Sequence, residues 1–157
     1  KRLAEQPKFM RWLRPFLKSL VRQHWLSSNL FRNAANPTVI KKVLMQAYPS
    51  GTNVDQNLIK LLHTPSQRKG AQEAFRGFIN LFDDHLAPQL LPNLQIPVDM
   101  IWGEKDPWES VEEAQQWVAS FQCIRSLEVI PGAGHCPHDE SPEEVNRVIT
   151  RLIQQAT

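Results

Sequence analysis

Two stretches near the carboxyl end carry residues whose types and spacing suit nucleophilic catalysis. Trp102-Gly103-Glu104-Lys105-Asp106-Pro107-Trp108 follows one apolar run, and Gly132-Ala133-Gly134-His135-Cys136-Pro137-His138-Asp139-Glu140 follows the next. An aspartate that accepts a hydrogen bond from a histidine Nδ1–H fixes the tautomer, orients the ring and stabilises the imidazolium. Nε2 is then left to take a proton from a nucleophile. Asp106 is the candidate acid and His135 the candidate general base. Read singly, each has a plainer explanation: Asp106 as the first residue of an Asp-Pro turn, His135 as part of a glycine-rich turn. Their order, each after a strand-like segment, favours the pair. Trp108 adjoins the acid loop and is the candidate substrate-binding residue, with packing of that loop as its alternative role. His138 and Asp139 suit the turn after His135, and Glu140 suits steadying that loop by hydrogen bonds.

The elements that must position this pair are legible in the apolar pattern. Val98 to Trp102 and Leu127 to Ile130 read as strands, and a helical segment lies between them. Ser110-Val111-Glu112-Glu113 supplies its start, with Val111, Ala114, Val118 and Phe121 as a buried stripe. Ser141-Pro142-Glu143-Glu144 repeats the device before Val145, Val148, Ile149, Leu152 and Ile153. In this β-loop-α-β-loop-α order a right-handed crossover sets the strands side by side and parallel. Both loops then fall at the carboxyl edge of the sheet, where open α/β sheets place their chemistry.

The run from Ile96 to Ile153 resembles the carboxyl-terminal part of an α/β-hydrolase. More narrowly, WGEKDPW with PGAGHCPHDESPEEVN is similar to the pheophytinase and chlorophyll-dephytylating branch. The resemblance implies Asp106 as triad acid and His135 as triad base. It also implies an acyl-accepting serine earlier in the chain, because this fold orders its triad as serine, then acid, then histidine. The sequence departs from the pattern there. None of the serines at 19, 27, 28, 50, 66, 110, 120, 126 and 141 lies in Gly-x-Ser-x-Gly. The nucleophile and the oxyanion loop are therefore expected outside these 157 residues, and a chain beginning at Lys1 reads as the back portion of a longer protein. Such a domain needs roughly 250 residues. Two parallel strands need further sheet, from a missing amino-terminal part or another chain.

Ahead of the sheet lies a helical array. Asn36-Pro37 opens a helix carrying Val39, Ile40, Val43, Leu44 and Ala47, and Tyr48-Pro49-Ser50-Gly51 stops it. Val54 to Leu62 makes another, which Thr64-Pro65-Ser66 should close. Gln67 to Phe82 gives a third, with Ala71, Ala74, Phe75, Phe78, Ile79 and Phe82 on its apolar face. Residues 1–92 thus read as a helical cap and 93–157 as the carboxyl-terminal part of the core, with 93–97 a linker. Trp12, Phe16, Trp25, Phe75, Phe78 and Phe82 could line a greasy pocket, or be ordinary core. Residues 1–22 hold seven basic residues against one acid, +6 there and −4 in the remainder. With Phe9, Trp12, Leu13, Phe16, Leu17 and Leu20 at helical spacing, that stretch suits an anionic membrane surface, or a lid helix with a solvated basic face.

Composition excludes other classes. Apolar content of 41% with 22% charged residues describes a globular chain, and no run approaches the roughly 20 apolar residues of a membrane span. Cys123 and Cys136 are too few for a disulfide scaffold and fit no zinc template, so reduced thiols are expected. Asp83-Asp84-His85 and Cys136-Pro137-His138 lack a second ligand cluster; no metal and no cofactor is expected. The fold class expected is α/β: a helical lid followed by the last two parallel strands and helices of the hydrolase fold. The function expected is hydrolysis of a carboxylic ester, with phytol-type chlorophyll or pheophytin esters favoured by the resemblance. These residues alone should be inactive. Rival readings are a haloalkane dehalogenase or epoxide hydrolase with an aspartate nucleophile, and a non-catalytic module that binds a pigment, membrane or partner. The expected partners are a small hydrophobic ester and the missing segment, with no nucleic acid. The expected location is the cytoplasm or the periphery of a photosynthetic membrane.

Overall fold

The computed structural model describes residues 24–81 and 86–156. In chain order these form helices α1 (His24–Ala34), α2 (Pro37–Ala47), α3 (Gln56–Ser66), α4 (Ala71–Leu81) and α5 (Ala87–Leu90), then a 3₁₀ turn, Leu91–Asn93. Strand β1 (Val98–Gly103), helix α6 (Val111–Ser120), strand β2 (Ile124–Ile130), the short α7 (Pro137–Glu140) and α8 (Pro142–Ala156) follow. The basic, aromatic stretch 1–22 and the Asp83-Asp84-His85 cluster lie outside the described residues, as do Trp12, Phe16, Phe82 and the side chains of Trp25 and Ile79. The chain divides into two units, one of residues 1–41 and 56–84, the other of 42–55 and 85–157.

In the second unit β1 and β2 pair in parallel, the order of connection read from the sequence, with Met100 opposite Leu127 and Gly103 opposite Ile130. β2 starts at Ile124, three residues ahead of Leu127, where the apolar run begins. The polar residues there are held across the ladder, since Asp99 accepts hydrogen bonds from the Arg125 guanidinium and, at 2.7 Å, from the Ser126 hydroxyl. Those donors, Arg125 foremost, hold the Asp99 carboxyl below the usual carboxylate range.

Each face of this ribbon is covered by one helix. On one side Ile130 and Ala133 meet Val145, Val148 and Leu152 of α8, with Ile101 packed against them. On the other, Met100, Ile124 and Leu91 meet Ala114 of α6, joined by Trp102, Trp117, Phe121 and Leu127. Burying each large side chain is worth about 1.5–3 kcal/mol, so packing outweighs exposed pairs such as Arg147–Glu144, where about 0–1 kcal/mol is usual. Two details differ from the sequence reading. Val118 is exposed and Trp117 takes its place in the α6 stripe, edge-on to Trp102 at 6.0 Å. On α8 only the Val145–Val148–Leu152 line is buried, and Ile149 and Ile153 stay exposed because one ribbon covers only part of a wide apolar face.

The helix boundaries follow local chemistry. Asn36 Oδ1 accepts from Thr38 N–H at 2.9 Å, capping α2 with proline at its first position. Ser110 Oγ accepts from Glu113 N–H at 3.2 Å and caps α6. α3 runs through Thr64-Pro65 instead of stopping before it. A proline in the final turn forfeits only one hydrogen bond, and the Thr64 hydroxyl donates back to Lys60 C=O at 2.7 Å. Residues 67–70 then form the turn, ending at Gly70 with φ 87°, so α4 begins at Ala71 and not at Gln67. Within the first unit α1 contacts α4 through Phe31 and Phe75, whose rings lie 5.4 Å apart.

Candidate active site

The acid loop leaves the carboxyl end of β1 and is tied at once to the loop after β2. Glu104 N–H donates to Ile130 C=O at 3.1 Å, and Lys105 N–H donates to Ala133 C=O at 2.8 Å. Pro107 disfavours helical backbone at Asp106. Asp106 turns its carboxylate inward, where Oδ1 accepts from the N–H groups of Trp108, at 2.9 Å, and Glu109, at 3.1 Å. Its other oxygen, Oδ2, faces His135 Nδ1 at 2.9 Å. The Asp106 side chain is 6% exposed and that of His135 41%. The buried carboxylate therefore has three donors, and the ring it holds is open to solvent on its outer side. With the shared proton on Nδ1, Nε2 carries the lone pair, and no described residue hydrogen-bonds to it.

His135 reaches this position through an unusually close backbone packing. Gly132 adopts φ 73°, which lets the chain reverse straight after β2. Gly103 lies so near the Ala133-Gly134 backbone, and Gly134 so near Ala47 C=O, that a side chain on either would meet backbone. The loop is also gripped by residues 47–53, which follow α2 in the same unit. Ala47 C=O accepts from His135 N–H at 2.9 Å. The Tyr48 hydroxyl donates to Asp139 Oδ2 at 2.7 Å, and Asn53 Nδ2 donates to Asp139 C=O at 2.6 Å. Glu140 accepts at both oxygens, from Ser50 N–H at 3.0 Å and from Gly134 N–H at 2.6 Å.

The structure thus joins Asp106 to His135 and sets Trp108 beside them, its ring 4.7 Å from the imidazole at 73° and 44% exposed. His138 is exposed, and Asp139 and Glu140 shape the turn as their residue types suggested. What sequence reasoning missed is the contribution of Ala47, Tyr48, Ser50 and Asn53. Their only signal was a helix-stopping Tyr-Pro-Ser-Gly. Among the described residues no group of three His, Cys, Asp or Glu side chains is placed to hold a metal ion, and Cys123 and Cys136 are free thiols.

Tyr48 gives this strap an optical readout. Burial, with the residue 5% exposed, and then the hydrogen bond to Asp139 push its pKa far above the usual tyrosine value. The folded pKa is raised, so the associated stability is full below about pH 10, the unfolded value, and falls as pH rises past it, because only the unfolded chain releases the proton. Tyr48 is the sole tyrosine. Absorbance at 295 nm should therefore show no phenolate near pH 10.5 while the fold persists, and phenolate should appear only together with loss of near-UV circular dichroism. Half-ionisation near pH 10 in the folded protein would show that Tyr48 is solvated.

A family model described as the alpha/beta hydrolase family matches residues 2–148. Over 125 residues the chain is 30% identical to epoxide hydrolase 3 of Xenopus tropicalis, a match covering 74% of this chain and 32% of that protein. Over 132 residues it is 26% identical to the chloroplastic pheophytinase of Arabidopsis thaliana, covering 80% of this chain and 26% of that protein. The chain thus spans about a third or less of these curated relatives. Among solved structures it is similar to MGS-M2, an alpha/beta hydrolase enzyme from a Medee basin deep-sea metagenome library, with a TM-score of 0.63 at 16% identity. That match covers 89% of this chain and 51% of the other. A thermophilic esterase from Thermogutta terrifontis gives 0.61 at 18% identity, covering 84% and 50%. At these identities the structural likeness speaks for the fold.

Proposed function

Because this chain belongs to the α/β-hydrolase family, we propose that it supplies the acid and the base of a carboxylic ester hydrolase whose nucleophile comes from outside these 157 residues. The observation that carries this reading is the 2.9 Å contact between Asp106 Oδ2 and His135 Nδ1, on a ring whose side chain is 41% exposed. In the proposed reaction a serine Oγ attacks the ester carbonyl while Nε2 takes its proton. The imidazolium, steadied by Asp106, then protonates the departing alkoxide, and the same nitrogen activates water to release the acid. Trp108, exposed beside the base, is assigned to contact the substrate.

A hydrophobic alcohol such as phytol is the favoured leaving group. Each buried methylene adds about 0.8 kcal/mol to binding, and the pheophytinase relative supports the choice. A cap role for residues 1–92 belongs to the same proposal; its described helices expose Leu61, Leu62 and Phe78. So does a place at the surface of a photosynthetic membrane, which the chloroplastic pheophytinase relative supports; among the described residues no helix is long and apolar enough to cross a membrane.

The epoxide hydrolase relative favours one alternative, in which the nucleophile is an aspartate and His135 activates the water that hydrolyses the resulting alkyl ester. A single turnover in ¹⁸O-water separates the two, using protein that includes the nucleophile. A serine enzyme places ¹⁸O in the product acid and reacts with phosphonate ester probes. An aspartate enzyme retains ¹⁸O in its own carboxylate and ignores the probe. We expect probe labelling and cleavage of pheophytin; turnover of an epoxide with no labelling would overturn the ester reading.

A further inference from the structure

We propose that Glu140 is a positioning residue for His135, acting with the strap 47–53, a role that rests on the reading of His135 as the base. Asp106 can orient the imidazole only if the peptide carrying it is already in place. That peptide belongs to Gly132-Ala133-Gly134-His135, where two glycines leave the backbone with the least intrinsic preference of any residue type. The loop must therefore be pinned from outside.

Two pins lie next to the base. His135 N–H is held by Ala47 C=O, and the preceding amide, Gly134 N–H, is held by Glu140 Oε2 at 2.6 Å. The other Glu140 oxygen takes Ser50 N–H at 3.0 Å, so one carboxylate fastens the loop to the strap. Asp139, beside it, accepts from Tyr48 at its side chain and from Asn53 at its carbonyl, which fixes the turn that carries Glu140.

Charge matters to this arrangement. Burial opposes ionisation of Glu140, but the hydrogen bonds from Ser50 and Gly134 and the nearby Lys105 outweigh it and hold the carboxyl below its usual range. It is an anion at neutral pH, and charge-assisted bonds to amide N–H groups are roughly twice as strong as neutral ones. Glutamine keeps the shape but can accept from only one of the two amides. Its own NH₂ would face the second N–H, donor against donor.

The test uses the full 157-residue chain, labelled with ¹⁵N, and follows the downfield Nδ1–H signal of His135 held by Asp106, assigned by its loss in Asp106→Asn. Glu140→Gln should speed exchange of that proton with water about tenfold, the change expected for one lost charge-assisted hydrogen bond, and Glu140→Ala should speed it further. In Glu140→Gln the thermal midpoint should fall by no more than the few degrees that one such bond is worth, and the protection of the Ile130 amide should stay unchanged. Glu143→Gln, on the exposed side of α8, is the control and should match the parent. Absence of the signal from a parent chain whose Ile130 amide is protected would sink the base reading itself. A signal whose exchange is the same in Glu140→Gln and Glu140→Ala as in the parent would overturn the positioning role alone. Faster exchange that comes only with lost Ile130 protection would likewise overturn it, by making Glu140 a general structural support.

Discussion

Replacing His135 with alanine, in a protein that contains both this chain and its nucleophile, is expected to lower kcat by about 10⁶-fold with KM little changed. Removing the base of a Ser-His-Asp set costs about as much as removing the whole set, because the members act as a unit. Asp106→Asn should cost less, about 10⁴-fold. The asparagine keeps the shape, and its amide would present a donor to Nδ1, turning the ring to the wrong tautomer. The geometry supports this order: Asp106 is buried among the Trp108 and Glu109 amides and touches His135 with one oxygen, whereas the ring carries the reacting nitrogen. Steady-state turnover of an ester, with binding of an unreactive analogue as the check on folding, measures both. A loss of less than tenfold in His135→Ala would remove His135 from the chemistry.

The largest effect on stability is expected at Gly103, a position that touches no substrate in this reading. A Cβ there would lie 2.7 Å from Ala133 C=O and closer still to Gly134 C=O, and neither backbone oxygen can withdraw without breaking the Lys105–Ala133 hydrogen bond or the β1–β2 ladder. Gly103→Ala should destabilise the chain by about 3 kcal/mol or more, against about 1 kcal/mol for an average substitution. Where the whole fold is worth about 5–15 kcal/mol, that is a large share. Gly134→Ala presses instead on the strap, with its Cβ 3.0 Å from Pro49 Cγ and nearer to Ala47 C=O. It should therefore disturb His135 as well as stability. Urea unfolding of the two variants beside the parent chain measures the cost, and a change under 1 kcal/mol for Gly103→Ala would mean that the two loops are less closely packed than described.

Much of the sheet-bearing unit could be read from local pattern. Two apolar runs with a capped amphipathic segment between them specify a parallel pair, and Ser110 and Asn36 cap helices as their residue types suggest. The candidate pair was legible for the same reason. Once Asp106 and His135 each follow a strand of one parallel sheet, the crossover places both loops at one edge. The strand start at Ile124 was less legible, since Arg125 and Ser126 look like loop until Asp99 is known to face them across the ladder. The α8 stripe was read too wide, because periodicity shows which side chains share a face and not how much of it a two-stranded ribbon can cover.

The sequence by itself therefore determined the order of elements and the caps, which depend on side-chain type at short range, and the Asp–His pair with Trp108 close by, which follows from that order through the crossover. Only the tertiary structure decided that residues 47–53 grip the loop of His135, that Gly103 must be glycine because of the Ala133-Gly134 backbone, and that Gly134 must be glycine because of Ala47 C=O and Pro49. Those features join positions far apart in the chain, and most of their contacts have an amide N–H or C=O group as at least one partner. Every residue type except proline offers both groups alike, so periodicity and residue type leave no mark of which ones meet.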